Sequence, residues 1–164
     1  MTAKKYIFTG ETKTTIYGTV LHRIQATKDF GDVKEGDLGG WIEKEENLSH
    51  DGICWLSGNA LVFGNALVFG NARVSGDAQV FGNSKISTNA LIVSTQDYIC
   101  IGPLGSRNDF TTFYYSEGGI MVNCGCFNGT IKEFEEAVRK THGESRYASS
   151  YISAIAFAKA HLQK

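Results

Sequence analysis

What this chain lacks narrows it first. Its charges nearly cancel, to a formal net charge of -1 over 164 residues, so nothing draws it as a whole to nucleic acid or to an anionic membrane. No uninterrupted apolar run approaches the roughly 18 residues of a spanning helix. Met1 to Gly10 holds lysines but no apolar stretch of signal-peptide length. The expectation is a soluble, cytoplasmic protein that binds neither a membrane nor a nucleic-acid polymer. Four cysteines, Cys54, Cys100, Cys124 and Cys126, include no C-x-x-C pair and are too few for a disulfide scaffold. Alternation puts Ile120, Val122, Cys124 and Cys126 on one strand face, which reads as two reduced core thiols ahead of a metal site or a redox switch. No metal and no cofactor is expected. G-x-S-x-G, H-E-x-x-H and Walker signatures are absent, and no histidine occurs between His50 and His142. The 42% hydrophobic content still suffices for a proper core, in one domain or two small ones.

What the chain does have is a six-residue period. An aliphatic residue recurs as Leu56, Val62, Val68, Val74, Val80, Ile86 and Ile92. Two positions before each later member lies a small residue: Ala60, Ala66, Ala72, Ala78, Ser84 and Ala90. Turn dipeptides separate them: Gly58-Asn59, Gly64-Asn65, Gly70-Asn71, Gly76-Asp77, Gly82-Asn83 and Thr88-Asn89. A period of six belongs neither to a helix nor to one long strand. It fits a short strand and a corner, repeated. In Ala66-Leu67-Val68-Phe69 the pleat sends Ala66 and Val68 to one side and Leu67 and Phe69 to the other. Gly-Asn then turns the chain, since both residues tolerate positive φ. Three such sides close a triangular coil with a narrow dry interior, alanine near the corner and valine in the middle.

From Trp55 to Val93 these hexads resemble the hexapeptide-repeat family. The resemblance implies a left-handed parallel β-helix of about two coils, often assembled as a trimer. One departure stands out: Ser57, Phe63, Phe69, Ser75, Phe81 and Ser87 occupy the position where a Gly or small acidic residue is commonest. Enzymes of the family transfer acyl groups with a coil-borne histidine as general base, and coenzyme A or acyl carrier protein lies between subunits. The coil here has no histidine, and His50, just before it, reads as a capping-loop residue. The fold by itself implies no activity.

The expected fold class is mainly β, in three segments. Residues 1–50 form a β-rich N-terminal cap, with strands at Tyr6-Ile7-Phe8 and Thr15 to Ala26. A glycine-rich loop from Asp29 to Asn47 follows, with Trp41 and Ile42 as its core candidates. This segment covers the open end of the coil. Residues 51–95 are the short hexapeptide-repeat β-helix. Residues 96–164 form an α+β unit of three strands, Asp97 to Gly102, Thr111 to Ser116 and Ile120 to Phe127, and two helices. The first helix starts at Ile131, with Thr130 and Glu133 as a capping box and Gly143 as its stop; the second runs from Arg146 to Leu162. Outward-facing Leu61, Phe63, Phe69 and Phe81 mark a subunit interface, or ground covered by the N-terminal strands. Tyr151 and Ile155, on a broadly apolar second helix, mark another contact. The expected partner is the chain itself, as a homo-oligomer with the trimer favoured.

One loop suggests binding. Gly102-Pro103-Leu104-Gly105-Ser106-Arg107 lacks the lysine and spacing of a P-loop, yet its glycines can turn amides inward. Ser106 adds a hydroxyl, and Arg107 a fork suited to phosphate or carboxylate. Asp109, Thr111 and Thr112 suit a ribose or base edge, and Tyr114, Tyr115, Phe127, Tyr147 and Tyr151 an aromatic wall. The plain alternative is an ordinary loop beside core aromatics, with His142 a helix C-terminal residue meeting the dipole. The order of segments, with Gly39-Gly40-Trp41-Ile42-Glu43, Gly105-Ser106-Arg107 and Cys124-Gly125-Cys126-Phe127-Asn128-Gly129-Thr130, resembles small proteins encoded by phages and prophages. That resemblance implies a phage origin and work in the cytoplasm of an infected bacterial host. The function expected is a non-enzymatic oligomeric binding protein, by analogy an antagonist of host defence that sequesters a small anionic, nucleotide-type ligand. The alternatives are a hexapeptide-type acyltransferase-like enzyme and a structural or virion assembly protein stacked end to end.

Overall fold

The computed structural model describes residues 3–164. The chain is mainly β and ends in two helices. β1 (Tyr6–Thr14) and β2 (Val20–Ala26) form an antiparallel hairpin, and β3 (Leu38–Ile42) pairs antiparallel with β2. Thr15 to Thr19 is therefore the hairpin turn, closed by the Thr15 N–H donating to the Thr19 carbonyl. β3 falls inside the stretch expected to be loop. Its Gly39-Gly40 pair has no side chains to display an alternation.

The hexads give seven two-residue strands: β4 (Trp55–Leu56), β5 (Leu61–Val62), β6 (Leu67–Val68), β7 (Arg73–Val74), β8 (Gln79–Val80), β9 (Lys85–Ile86) and β10 (Leu91–Ile92). Each pairs in parallel with the strand three further on, giving the rows β4-β7-β10, β5-β8 and β6-β9. The repeated aliphatic and small residues all point inward, each at most 1% exposed. At the corners Gly58, Gly64, Gly70, Gly76 and Gly82 take φ from 60 to 70 degrees, the left-handed region that a side chain resists. Asparagines stack beside them, Asn65 on Asn83 at 3.3 Å and Asn71 on Asn89 at 3.4 Å.

Both ends of this stack are covered. At one end β3 lies parallel to β5, with Trp41 opposite Leu61, so that β1-β2-β3-β5-β8 is a single sheet. Leu48 bridges to Val68 beside it, and Tyr6, Ile24, Ile42 and Leu48 share one core with the inward hexad residues. At the other end side chains replace a further strand. Thr95 Oγ1, Tyr98 OH, Thr112 Oγ1 and Asp97 Oδ2 accept from the N–H groups of Gln79, Phe81, Lys85 and Val93 at 3.0, 3.3, 3.0 and 2.9 Å. These donors would otherwise be orphans of the last turn.

Beyond them β11 (Tyr98–Leu104), β12 (Asp109–Ser116), β13 (Gly119–Cys124) and β14 (Phe127–Thr130) make an antiparallel meander. The sheet has four strands where three were expected. The chain reverses after Cys124 at Gly125, whose φ is 58 degrees. Cys126 thus sits in the turn, exposed, and not on the strand face shared by Val122 and Cys124. α1 (Ile131–His142) carries the expected Thr130-Glu133 capping box, and α2 (Arg146–His161) follows with Ser145 as its cap. One face of the meander, with Tyr98, Tyr114 and Met121, meets the hexad core. The other, with Phe113 and Val122, packs on Phe134, Val138, Tyr151 and Ile155.

This packing corrects three of the residues expected between subunits. Phe63, Tyr151 and Ile155 are buried within the chain, at 6%, 6% and 2% exposure. Phe63 lies against the Phe81 ring, centroids 5.3 Å apart, and α2 turns Tyr151 and Ile155 toward the meander. Leu61 and Phe69 stay partly exposed and Phe81 is 38% exposed. Among the described residues no helix is long and apolar enough to cross a membrane.

Candidate functional site

Three pieces of chain meet around a cavity of about 260 Å³: the loop between β11 and β12, the turn between β13 and β14, and the C-terminal half of α1, with Tyr151 of α2 closing the space. Gly105 lets the first piece approach. Its φ is 75 degrees, and a Cβ there would lie 1.9 Å from the Tyr151 oxygen. The floor is apolar, made by Phe127, Phe134, Ala137 and Val138. Phe134 sits edge-on to Tyr151 at 5.6 Å and tilted to Phe127 at 5.2 Å. Polar groups gather at the rim: Ser106, Arg107, Asp109, Thr141 and His142, with the thiols of Cys124 and Cys126.

Arg107 is exposed at the rim and engages no carboxylate among the described residues. A guanidinium left free over an apolar floor is an anion acceptor in waiting. Tyr151 is the opposite kind of group. Burial, helped by the neighbouring Cys124 and Asp109 and opposed by Arg107, pushes its pKa up to about 12. It stays a neutral phenol at physiological pH, able to donate. The His142 ring stacks on it at 5.6 Å, so this histidine lines the cavity besides ending α1.

The expected ligand residues divide by the pleat of β12. Ser106, Arg107 and Asp109 line the cavity together. Thr111 lies beneath, fully buried, donating to Cys124 Sγ at 3.2 Å. Thr112 and Tyr114 point to the opposite face and do not reach the cavity. Thr112 caps Lys85, and the Tyr114 hydroxyl meets Ser87 Oγ and Asn128 Nδ2, each at 3.1 Å. Of the expected aromatic wall, Phe127 and Tyr151 are present. The α1 contribution, from Phe134 through Ala137, Val138 and Thr141 to His142, was visible as a helical stripe but not as a cavity wall. Cys124 and Cys126 carried no signal that they would face one.

No protein-family model matches the chain. Over 45 residues it is 44% identical to an uncharacterized acetyltransferase, YdcK, of Escherichia coli (strain K12). That stretch is 27% of this chain and 14% of the relative. The chain thus resembles a small part of a longer protein.

The likeness to an acetyltransferase turns attention to His50. Its ring stacks on Tyr6 at 4.2 Å, and its Nδ1 accepts the Lys5 N–H at 3.2 Å. Burial lowers its pKa, against the pull of Glu45. The neutral ring therefore carries its proton on Nε2, a buried atom 3.7 Å from Glu45. Neither nitrogen offers an accessible lone pair, which a general base requires. Among the described residues no cluster of three or more His, Cys, Asp or Glu is placed to hold a metal ion.

Proposed function

We propose that the hexads wind as a short hexapeptide β-helix, and that this stack supports a binding site rather than a catalytic one. The site is the cavity under the Gly105-Ser106-Arg107 loop, and its ligand is a small anion of nucleotide type. The observation that carries this reading is the free guanidinium of Arg107 over the aromatic floor of Phe127, Phe134 and Tyr151. Phosphate or carboxylate at Ser106 and Arg107 with a flat group on that floor uses both halves of the cavity. Its volume, about 260 Å³, suits one small molecule. Sequestration is the role that suits a site holding one small anion against an apolar floor. Self-association of the chain would use what the fold leaves uncovered on the hexads, Leu61, Phe69 and Phe81.

Calorimetric titration with AMP, a cyclic dinucleotide, pyrophosphate and acetyl-coenzyme A tests the reading. One of the first three should bind, and Arg107→Ala should weaken it about 10- to 100-fold, the loss of a charge-assisted pair. Equal binding by wild type and Arg107→Ala of every compound tested would end the proposal. The acyltransferase reading has the partial likeness to an uncharacterized acetyltransferase in its favour. Turnover of acetyl-coenzyme A that is lost in His50→Ala would establish it instead.

A further inference from the structure

A second reactive constellation lies outside the cavity, where β1 begins. Lys5 and Cys54 are both closed off from solvent, at 1% and 0% exposure. Lys5 Nζ donates to the Cys54 carbonyl at 2.8 Å and to the Asp51 and Gly52 carbonyls at 3.4 Å, and it stands 3.2 Å from Cys54 Sγ. The Phe30 ring covers it at 5.1 Å. The thiol has the Ser49 carbonyl as acceptor at 3.5 Å. Carbonyls and a thiol surround the amine, and no carboxylate lies within ion-pair distance among the described residues. Burial acts on both groups in the direction of neutrality, lowering Lys5 and raising Cys54. An amine nitrogen thus faces an oxidisable sulfur at contact distance, between residues far apart in sequence.

We propose that Lys5 and Cys54 form an oxidative cross-linking site, in which a hydroperoxide converts the pair to a sulfenamide joining Nζ to Sγ. In the first step Cys54 sulfur attacks a peroxide oxygen. The O–O bond breaks, hydrogen peroxide leaves as water, and the thiol becomes a sulfenic acid, oxidised by two electrons as the peroxide is reduced. In the second step the Lys5 lone pair attacks that sulfur. The S–N bond forms, the S–O bond breaks, and the departing hydroxide takes a proton from the amine to leave as a second water. Thiol, amine and one hydrogen peroxide thus give one S–N bond and two waters. The separation of 3.2 Å already matches a near-attack arrangement of roughly 3–3.5 Å. Peroxide reaches the pair by local opening at the start of β1. The closed site then holds the sulfenic acid beside its amine and away from further oxidant. The new bond ties the first strand to the loop before β4.

Peptide mapping of the native protein after hydrogen peroxide treatment tests this. The expected product is a Lys5 peptide joined to a Cys54 peptide, two hydrogens lighter than their sum and separated again by dithiothreitol. The treated protein should also melt at a higher temperature, and that gain should vanish with dithiothreitol. Lys5→Arg keeps donors toward the carbonyls but should give no cross-link, leaving Cys54 sulfenic acid for capture by dimedone. Cys54 remaining a free thiol while exposed Cys126 is oxidised would overturn the proposal. So would Cys54 ending as sulfinic acid with Lys5 unmodified. Both outcomes are read on the wild-type protein, so the answer does not depend on whether Lys5→Arg folds.

Discussion

Replacing Gly105 by alanine should damage the protein through one neighbour. Two costs add. The residue sits at φ 75 degrees, where an L side chain costs about 1–2 kcal/mol. The added Cβ would also meet Tyr151 at 1.9 Å from its oxygen, 2.3 Å from Cζ and 2.7 Å from Cε2. Tyr151 has little room to retreat, because Phe134 and His142 hold its ring on two sides, each at 5.6 Å. Overpacking of this kind costs about 1–3 kcal/mol, so Gly105→Ala should lose about 2–5 kcal/mol. At about 2–4 °C per kcal/mol for a chain of this size, the midpoint falls by about 4–20 °C. Urea unfolding of a double-mutant cycle separates the two costs. In a Tyr151→Ala background the collision is gone and only the backbone strain remains, so the coupling should be about 1–3 kcal/mol. The cycle is best run cold, since Tyr151→Ala alone removes about 3–5 kcal/mol. A coupling below about 0.5 kcal/mol would refute the claim that Tyr151 is what requires glycine there. Anion binding should weaken in Gly105→Ala as well, because the loop carrying Ser106 and Arg107 must shift.

Two further predictions concern the far end of the stack. Thr88 holds φ 52 degrees without being glycine, and its hydroxyl donates to Asn128 Oδ1 at 2.7 Å. Thr88→Ala loses that bond and keeps the strain, whereas Thr88→Gly loses the bond and relieves the strain. Glycine should therefore be the milder replacement by about 1 kcal/mol in urea unfolding, and the reverse order would refute this account. Asp97 supplies a pH test. Burial alone would raise its carboxyl, but hydrogen bonds from Lys164 and the Ser94 and Val93 amides prevail and hold it below its ordinary value. A depressed folded value means stability contributed above the unfolded pKa, about 4, and lost as pH falls through the folded one. Asp97→Asn should be destabilising at pH 7, with the gap to wild type narrowing as pH falls below the unfolded value of about 4 and through the depressed folded one; a pH-independent gap would sink the reasoning.

The hexads were legible because their physics is local. Leu56, Val62 and Val68 must recur at a fixed interval if each side of the stack is one pleat and one corner, and the Gly-Asn pairs announce those corners. The Thr130-Glu133 capping box was legible for the same reason. What stayed hidden depends on partners distant in sequence. β3 carries Gly39-Gly40 and shows no alternation, yet it pairs with both β2 and β5. Cys124 and Cys126 read as one strand face until Gly125 is seen to reverse the chain. Of the ligand residues, Ser106, Arg107 and Asp109 meet in one cavity, but parity along β12 removes Thr112 and Tyr114 to the other face. The same parity was available in the sequence. What was missing was the knowledge that both faces of this sheet would be covered, by hexads on one side and by helices on the other.

That double cover explains how so short a repeat stands. Two-residue strands bury little surface, and a stack of them ends in unpaired carbonyls on one side and unpaired N–H groups on the other, edges that invite another chain. Here the last row is answered by Thr95, Tyr98, Thr112 and Asp97, and β3 answers the first. Ser87 and Thr88, where the Gly-Asn rhythm breaks, belong to the same junction. Ser87 is 3% exposed and shares Tyr114, Asn123 and Asn128 in one polar network. A glycine at 88 would relax the corner but forfeit the hydroxyl that holds Asn128. The irregular hexad is thus the point where the repeat gives up its own pattern to join the meander. A stack closed in this way leaves little unpaired backbone at either end among the described residues. The same joint sets the meander against the stack, and the cavity forms on the meander's far face, where α1 and α2 remain free to shape it.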